Sequence, residues 1–258
     1  ISLQLGGRIR RADFRSSEAL VHLGQDRQTA RLRLAMGAGS AELDLVQAAQ
    51  SLNAHAVLRG ADLGLVNEDL AGQFDADITL AGQGPSLSGD MVANLQDARA
   101  AGSRDPARIG ARLRAHLAGD SITLDATAQD NQGLHSQANL VLPAESAANP
   151  FRIAIARTRP MSGTFSAQGE IGSLWTLLMG SERSLAGQVD MSGRLSGTLA
   201  DPRATGEATL SGGRFTDSGT GLRLTNVSFR ADLANNAIEV ADLQGADGAR
   251  GRLSGAGR

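Results

Sequence analysis

The sequence predicts an all-β protein built on a long antiparallel sheet with one or two short helical turns. Apolar and polar residues alternate with a period of two over most of the chain, and glycine and proline interrupt the alternation. Aromatic residues make up only 3% of the 258 residues, whereas there are 32 glycines. A chain so poor in large rings is expected to build a thin core from Leu, Val, Ile and Ala.

The alternating runs predict strands with one apolar and one polar face, because successive side chains of a strand point to opposite sides. The runs end at turn residues such as those from Asp130 to Gly133, at Asn235-Asn236 and at Asp247-Gly248. The apolar face either packs as the core of a sandwich or lines a trough open to a guest, and the scarcity of aromatics favours the trough. The candidate lining residues are Leu32, Leu34, Leu43, Leu45, Ile78, Leu80, Ile122, Leu124, Leu140, Leu142, Ile153, Ile155, Phe165, Leu195, Leu210, Leu222, Leu224, Ile238 and Val240.

Helix is expected at two places. From Ser173 to Gly180 the serine is suited to cap the first amides, three leucines share one face, and the glycine is suited to end the helix. A shorter helical turn is predicted from Val66 to Leu70.

These two places head an internal repeat. Leu70-Ala-Gly-Gln73 recurs as Leu185-Ala-Gly-Gln188, and each copy continues as strand, glycine corner, proline turn and strand. The matching pairs are Gly82 with Gly197, Pro85 with Pro202, and Gly89 with Gly206. Modules that bury an apolar face only against their neighbours are typical of extended repeat proteins. We therefore expect 1–258 to be one continuous β segment of a longer chain, with a subdivision into 1–172 and 173–258 at the short helix.

The sequence predicts no enzyme active site, metal or cofactor. The four histidines (His22, His55, His116 and His135) lack partners at metal-ligand spacing, and there is no cysteine or lysine. Asp75 and Asp77 resemble an acid pair of a glycan-cleaving site, but aromatic platforms for a sugar are missing. The charged residues are well mixed along the chain and sum to a net charge of −2, so the sequence predicts no basic patch for binding nucleic acid.

In the last third of the sequence, the run from Gly187 to Gly206 also has glycines at 193 and 197 and a proline at 202. This order of glycine and proline resembles the recurrent signature of the TamB family, relatives of the AsmA-like proteins. Asn226-Val227 and the stretch from Asp247 to Gly251 continue the pattern.

The resemblance implies a sheet curled into a half-pipe, or β-taco, with a hydrophobic interior, as in bridge-like lipid transfer proteins. It implies a location in the periplasm of a Gram-negative bacterium, tethered to the inner membrane by an anchor outside these residues. The expected partners are phospholipid acyl chains and a BamA-like outer-membrane barrel of the TamA type. The alternative is a chaperone or scaffold in the assembly and secretion of outer-membrane β-barrel proteins such as autotransporters. The family offers no catalytic residues to carry over.

Overall fold

The computed structural model describes all residues except 10–11, 103–106, 181, 236 and 249. The described chain is 75% strand and 4% helix, in one long antiparallel sheet of 17 strands that is not closed. The predicted fold class is therefore confirmed. The strands are β1 (Gly6–Ile9), β2 (Ala12–Leu23), β3 (Arg27–Met36), β4 (Gly39–Ala48), β5 (Ser51–Asp62), β6 (Leu70–Gln83), β7 (Ser86–Ala100), β8 (Ile109–Ala118), β9 (Ser121–Asp130), β10 (His135–Ala147), β11 (Arg152–Ile155), β12 (Ser162–Glu170), β13 (Arg183–Gly197), β14 (Pro202–Asp217), β15 (Arg223–Asn235), β16 (Ala237–Ala246) and β17 (Arg252–Gly257).

Helix α1 (Gly172–Met179) confirms the longer of the two helix predictions. Gly180 follows it with φ 78° and donates its N–H to the carbonyl oxygen of Thr176, as a terminating glycine should. Ser173 does not cap the helix, because the N-cap position falls on Ile171. Ser173 is buried within the first turn instead, and its hydroxyl donates to the carboxylate of Asp130 at the end of β9.

The shorter helical element lies ahead of its predicted position. A 3-10 helix covers Leu63–Leu65, and the predicted turn from Val66 to Leu70 begins where it ends. The shift has a local cause: Asp62 accepts the N–H of Gly64 at 2.7 Å through its side chain and so caps the helix early. No helix among the described residues is long and apolar enough to cross a membrane.

Contacts divide the described chain into two compact units. Unit 1 consists of Ile1–Asp97, Arg112–Asp125 and Val141–Ala156. Unit 2 consists of Ala98–Ala111, Ala126–Leu140 and Arg157–Arg258.

In unit 1, strand register converts the alternation of the sequence into continuous rows. Leu32 of β3 pairs with Leu43, which pairs with Ala56, which pairs with Ile78 of β6. A second row on the same face, beside the first, joins Ala30, Leu45, Ala54 and Leu80. The residues between these rows point to the other face, where Arg31, Asp44, His55 and Thr79 pair in the same way.

The buried core cluster of unit 1 lies at one end of its strands and consists of Leu52, Leu87, Leu117, Ala144 and Ala148. Ala61, Leu63 and Ala76, toward the other end of β5 and β6, are also buried. The backbone N–H groups of Ala148 and Asn149 both donate to the carbonyl oxygen of Gly84 at 2.9 Å, which ties the segment after β10 to the turn between β6 and β7. The apolar face is therefore covered at this end of the unit.

In unit 2 the apolar rows are interrupted by glycines that a neighbouring side chain covers. Val189 of β13 pairs with Leu210 of β14, which pairs with Phe229 of β15. Phe165 of β12 pairs with Gly193, and a Cβ atom on that glycine would lie 2.6 Å from the ring. The ring thus occupies the space that a side chain at position 193 would need.

The internal repeat predicted from the sequence has a common backbone conformation. Gly72 and Gly187, the third residues of the two Leu-Ala-Gly-Gln copies, have φ values of 129° and 135°. A Cβ atom on either corner glycine would collide with the carbonyl oxygen four residues ahead, at 2.2 Å for Gly82 and 2.5 Å for Gly197. Both copies therefore require glycine at equivalent places for the same reason.

We expect Gly187→Ala to lower the free energy of unfolding by about 1–3 kcal/mol, because alanine is strained at positive φ. The added Cβ atom would also lie 2.8 Å from the Cα atom of Gly213. Gly257→Ala is the matched control, since nothing lies within 4 Å of its Cβ position. The measurement is the unfolding midpoint of both variants, and equal midpoints would contradict the structural role of the repeat.

Candidate functional site

The candidate site is the apolar face of each unit. In unit 1 the six predicted lining residues of β3, β4 and β6 all lie on one face, because their cross-strand partners are Leu or Ala of the same rows. None of the six is buried. These residues are Leu32, Leu34, Leu43, Leu45, Ile78 and Leu80. Leu45 and Leu80 lie nearest to the buried core and pack against it, while the other four are half-buried without belonging to it.

The other predicted lining residues of unit 1 have different surroundings. Ile122 packs against the buried core and Leu124, two residues further along β9, is half-buried. Leu142 is buried and so contributes to the fold instead of an accessible surface. Ile153 and Ile155 of β11 are 42% and 44% exposed, which makes them the most accessible lining candidates in this unit.

In unit 2 the register brings most of the predicted lining residues onto one face. Leu195 pairs with Ala204 of β14, and further along the same face Leu210 pairs with Phe229. Val240 and Ile238 of β16 pair with Ala231 and Leu233 of β15. Leu210 is buried, whereas Ile238 is 59% exposed.

The remaining candidates of unit 2 lie beside these rows or at their ends. Leu140 contacts the strand β12, where its Cδ2 atom would be 2.5 Å from a Cβ atom on Gly163. Leu224 pairs with Phe215 after an irregularity in the register. Leu222 lies outside the strands and is exposed.

Several residues of the apolar rows were not predicted as lining residues from the sequence. Ala54 and Ala56 join rows of larger side chains, and Leu58 pairs with Ala41 and Ala76. Alanine carries too weak a hydrophobic signal to be singled out, and Leu58 directly follows Val57, which breaks the alternation at that point. The rows from β3 to β6 in the described structure contain no charged residue.

The opposite face of unit 1 carries ion pairs between neighbouring strands. Arg33 contacts Asp44 at 2.6 Å and Glu42 at 3.1 Å, and Arg31 contacts Asp44 at 3.0 Å. The hydrogen bond from Arg33 lowers the pKa of Asp44 below its usual value. This face is solvated and charged, so the apolar face is the side of unit 1 suited to an apolar guest.

Two histidines of the polar face have carboxylate partners that sequence spacing did not reveal. His55 Nε2 lies 3.0 Å from Asp77, and His116 Nδ1 lies 2.8 Å from Asp90. The members of each pair are 22 and 26 residues apart in sequence, so only strand pairing brings them together. Within the described residues, no three His, Cys, Asp or Glu side chains form a group able to hold a metal ion.

No protein-family model, curated protein or solved structure matches this chain. The resemblance to TamB therefore stays a prediction that rests on the order of glycine and proline in the last third of the sequence.

The pKa of Asp44 predicts a pH-dependent contribution to stability. A carboxyl group with a lowered pKa in the folded state stabilises fully above its unfolded pKa, and this contribution is lost as the pH falls through the folded value. We expect Asp44→Asn to flatten the decline in unfolding free energy below about pH 4. Asp26→Asn changes the net charge equally and is the control. The free energy of unfolding of each variant is measured by urea unfolding at a series of acidic pH values. The same decline in wild type and Asp44→Asn would contradict the role of the Arg33 contact.

Replacing a leucine by alanine should lower the free energy of unfolding more in the buried core than in the half-buried rows. Leu52 is 2% exposed, so Leu52→Ala should lower the free energy of unfolding by about 2–5 kcal/mol. Leu43→Ala, on the half-buried row, should cost no more than about 1–2 kcal/mol because its side chain is already partly hydrated. Urea unfolding measures both, and an equal loss would show that the row is as tightly covered as the core.

Proposed function

We propose that this chain is a segment of a periplasmic bridge-like protein that conducts phospholipids between the inner and outer membranes along its apolar face. The observation that carries the proposal is the register of unit 1. Leu32, Leu43 and Ile78 belong to one apolar row that crosses four strands, and none of the three is buried. A row of this kind offers acyl chains an apolar surface that is not part of a closed core.

The energetics suit a lipid that moves. Burial of each CH₂ group contributes about 0.8 kcal/mol, so an acyl chain binds without any specific polar contact. Neighbouring strands are spaced by about 4.8 Å, and each adds similar side chains to the row. An acyl chain therefore has similar binding free energies at adjacent positions along the row, which favours sliding of the lipid over its trapping at one position.

The location and partners in this proposal come from the resemblance to TamB. The chain would lie in the periplasm of a Gram-negative bacterium, with an inner-membrane anchor outside these residues and a BamA-like barrel of the TamA type at the outer membrane. The segment would perform no catalytic step and would bind no nucleic acid. Its contribution would be the apolar surface alone.

A second candidate function is the chaperoning of outer-membrane β-barrel proteins. The observation in its favour is the sheet itself, which is not closed and therefore has edge strands. Unpaired N–H and C=O groups at a sheet edge accept an incoming strand by β-augmentation. This role uses the sheet edge and backbone hydrogen bonds instead of the apolar rows.

Photocrosslinking in living cells distinguishes a lipid-bearing face from a solvated one. A photoreactive residue at Ile78 should label phospholipid several-fold more than one at Thr79, the next residue on the opposite face. In unit 2 the matched pair is Leu195 and Arg194. The crosslinked lipids are identified by mass spectrometry after purification.

Equal lipid labelling within both pairs would overturn the lipid-conducting function. If the crosslinks at Ile78 and Leu195 contain barrel-protein peptides and no lipid, the chaperone function is supported instead. Lipid labelling that persists when an unfolded outer-membrane barrel protein is overproduced supports the lipid function.

A further inference from the structure

The accessible apolar surface of unit 1 contains a band of two neighbouring rows that cross β3–β6. All eight side chains of the band are half-buried, so none of them is a buried core residue. The first row is Leu32, Leu43, Ala56 and Ile78, and the second row is Ala30, Leu45, Ala54 and Leu80. Neither row contains a charged residue, so the band is apolar along its whole length.

The end of β10 and the residues after it close the apolar face on one side of the band. This segment is tied to three successive hairpin turns. The N–H of Ala144 donates to the carbonyl oxygen of Asp120 at 2.7 Å. The N–H of Asn149 donates to the carbonyl oxygen of Gly84 at 2.9 Å, and its Nδ2 atom donates to that of Ala49 at 3.1 Å. The buried core cluster includes two residues of this segment, so the face is covered from here outward.

Buried residues border the band on its other side at β5 and β6. Ala76, two residues before Ile78 on β6, is 6% exposed, and Ala61 of β5 is fully buried. Leu63, also buried, begins the 3-10 helix that contacts β6. At these two strands the band is therefore two rows wide.

The dimensions of the band fit acyl chains that lie along the rows. Neighbouring strands are about 4.8 Å apart, so a row from β3 to β6 spans about 14 Å. The hydrocarbon core of a bilayer is about 30 Å thick, so one acyl chain spans about 15 Å of it. The two rows are separated by two residues of a strand, or about 6.6 Å. A chain laid across the band would reach the covered residues on either side, whereas two chains fit side by side along it.

We propose that the two rows hold the two acyl chains of one diacyl lipid side by side, with each chain crossing the strands. The proposal rests on the lipid-conducting function and adds the number of chains bound and their orientation. Chains in this orientation meet only apolar side chains and can slide along the rows without leaving the apolar surface.

Isothermal titration of the 258-residue chain with short-chain lipids below their micelle concentrations tests the pairing of the rows. Diheptanoyl phosphatidylcholine has two chains, and heptanoyl lysophosphatidylcholine has one chain on the same headgroup. We expect the two-chain probe to bind at least about tenfold more tightly, because its second chain buries further CH₂ groups. Equal affinities would overturn the proposal, while the lipid-conducting function would stand.

A series of lysophosphatidylcholines with chains of six, eight, ten and twelve carbons tests the orientation. The affinity should rise at each step, because a row of about 14 Å has room for the added CH₂ groups. A plateau after the first step would show that the chain lies across the band and would overturn the orientation. No binding of any probe would overturn the lipid-conducting function as well.

Two matched variants place the same polar group in the middle of each row. Ala56→Asn interrupts the first row and Ala54→Asn the second, and each should weaken the two-chain probe by about fivefold. Heptanoyl lysophosphatidylcholine should change by less than about twofold, because a single chain can use the intact row. Thr79→Asn, on the polar face, is the control and should change neither probe. Unchanged binding of the two-chain probe to both folded β5 variants would overturn the proposal, and the wild-type titrations decide it if a variant does not fold.

Discussion

The pairing of apolar residues with apolar residues across neighbouring strands is the constraint on which the rest of this structure depends. A slip of one residue would turn Leu43 of β4 toward the polar face and Asp44 toward the apolar face. The ion pairs of Asp44 with Arg31 and Arg33 would be lost in the same step. Apolar rows and charge pairs therefore specify the same register, which lets a long sheet form with only a small buried core.

Glycine supports this arrangement where strands come too close for a side chain. Gly193 lies under the ring of Phe165, and Gly82 and Gly197 each face a carbonyl oxygen four residues ahead. At these positions glycine is required because there is no space for a Cβ atom. At Gly193 the ring of Phe165 covers both its own site and that of the neighbouring strand.

Much of the fold follows from the sequence, and less of the candidate site does. The period of two and the helix signals located the strands and α1, since both depend on residues close in sequence. The capping of the 3-10 helix by Asp62 and the partners of His55 and His116 depend on contacts that local patterns do not contain. The pattern also could not separate buried Leu142 and Leu210 from exposed Ile238, because alternation defines a face and says nothing of what covers it.

The proposed function requires phospholipid on the apolar face. Native mass spectrometry of the chain, purified from Gram-negative cells after export to the periplasm, detects such lipid directly. We expect adducts with phospholipid masses on the wild-type chain, lost in Leu43→Asp and kept in Thr79→Asp, where the new charge lies on the polar face. A lipid-free wild-type chain, or adducts that survive Leu43→Asp undiminished, would rule out phospholipid on this face.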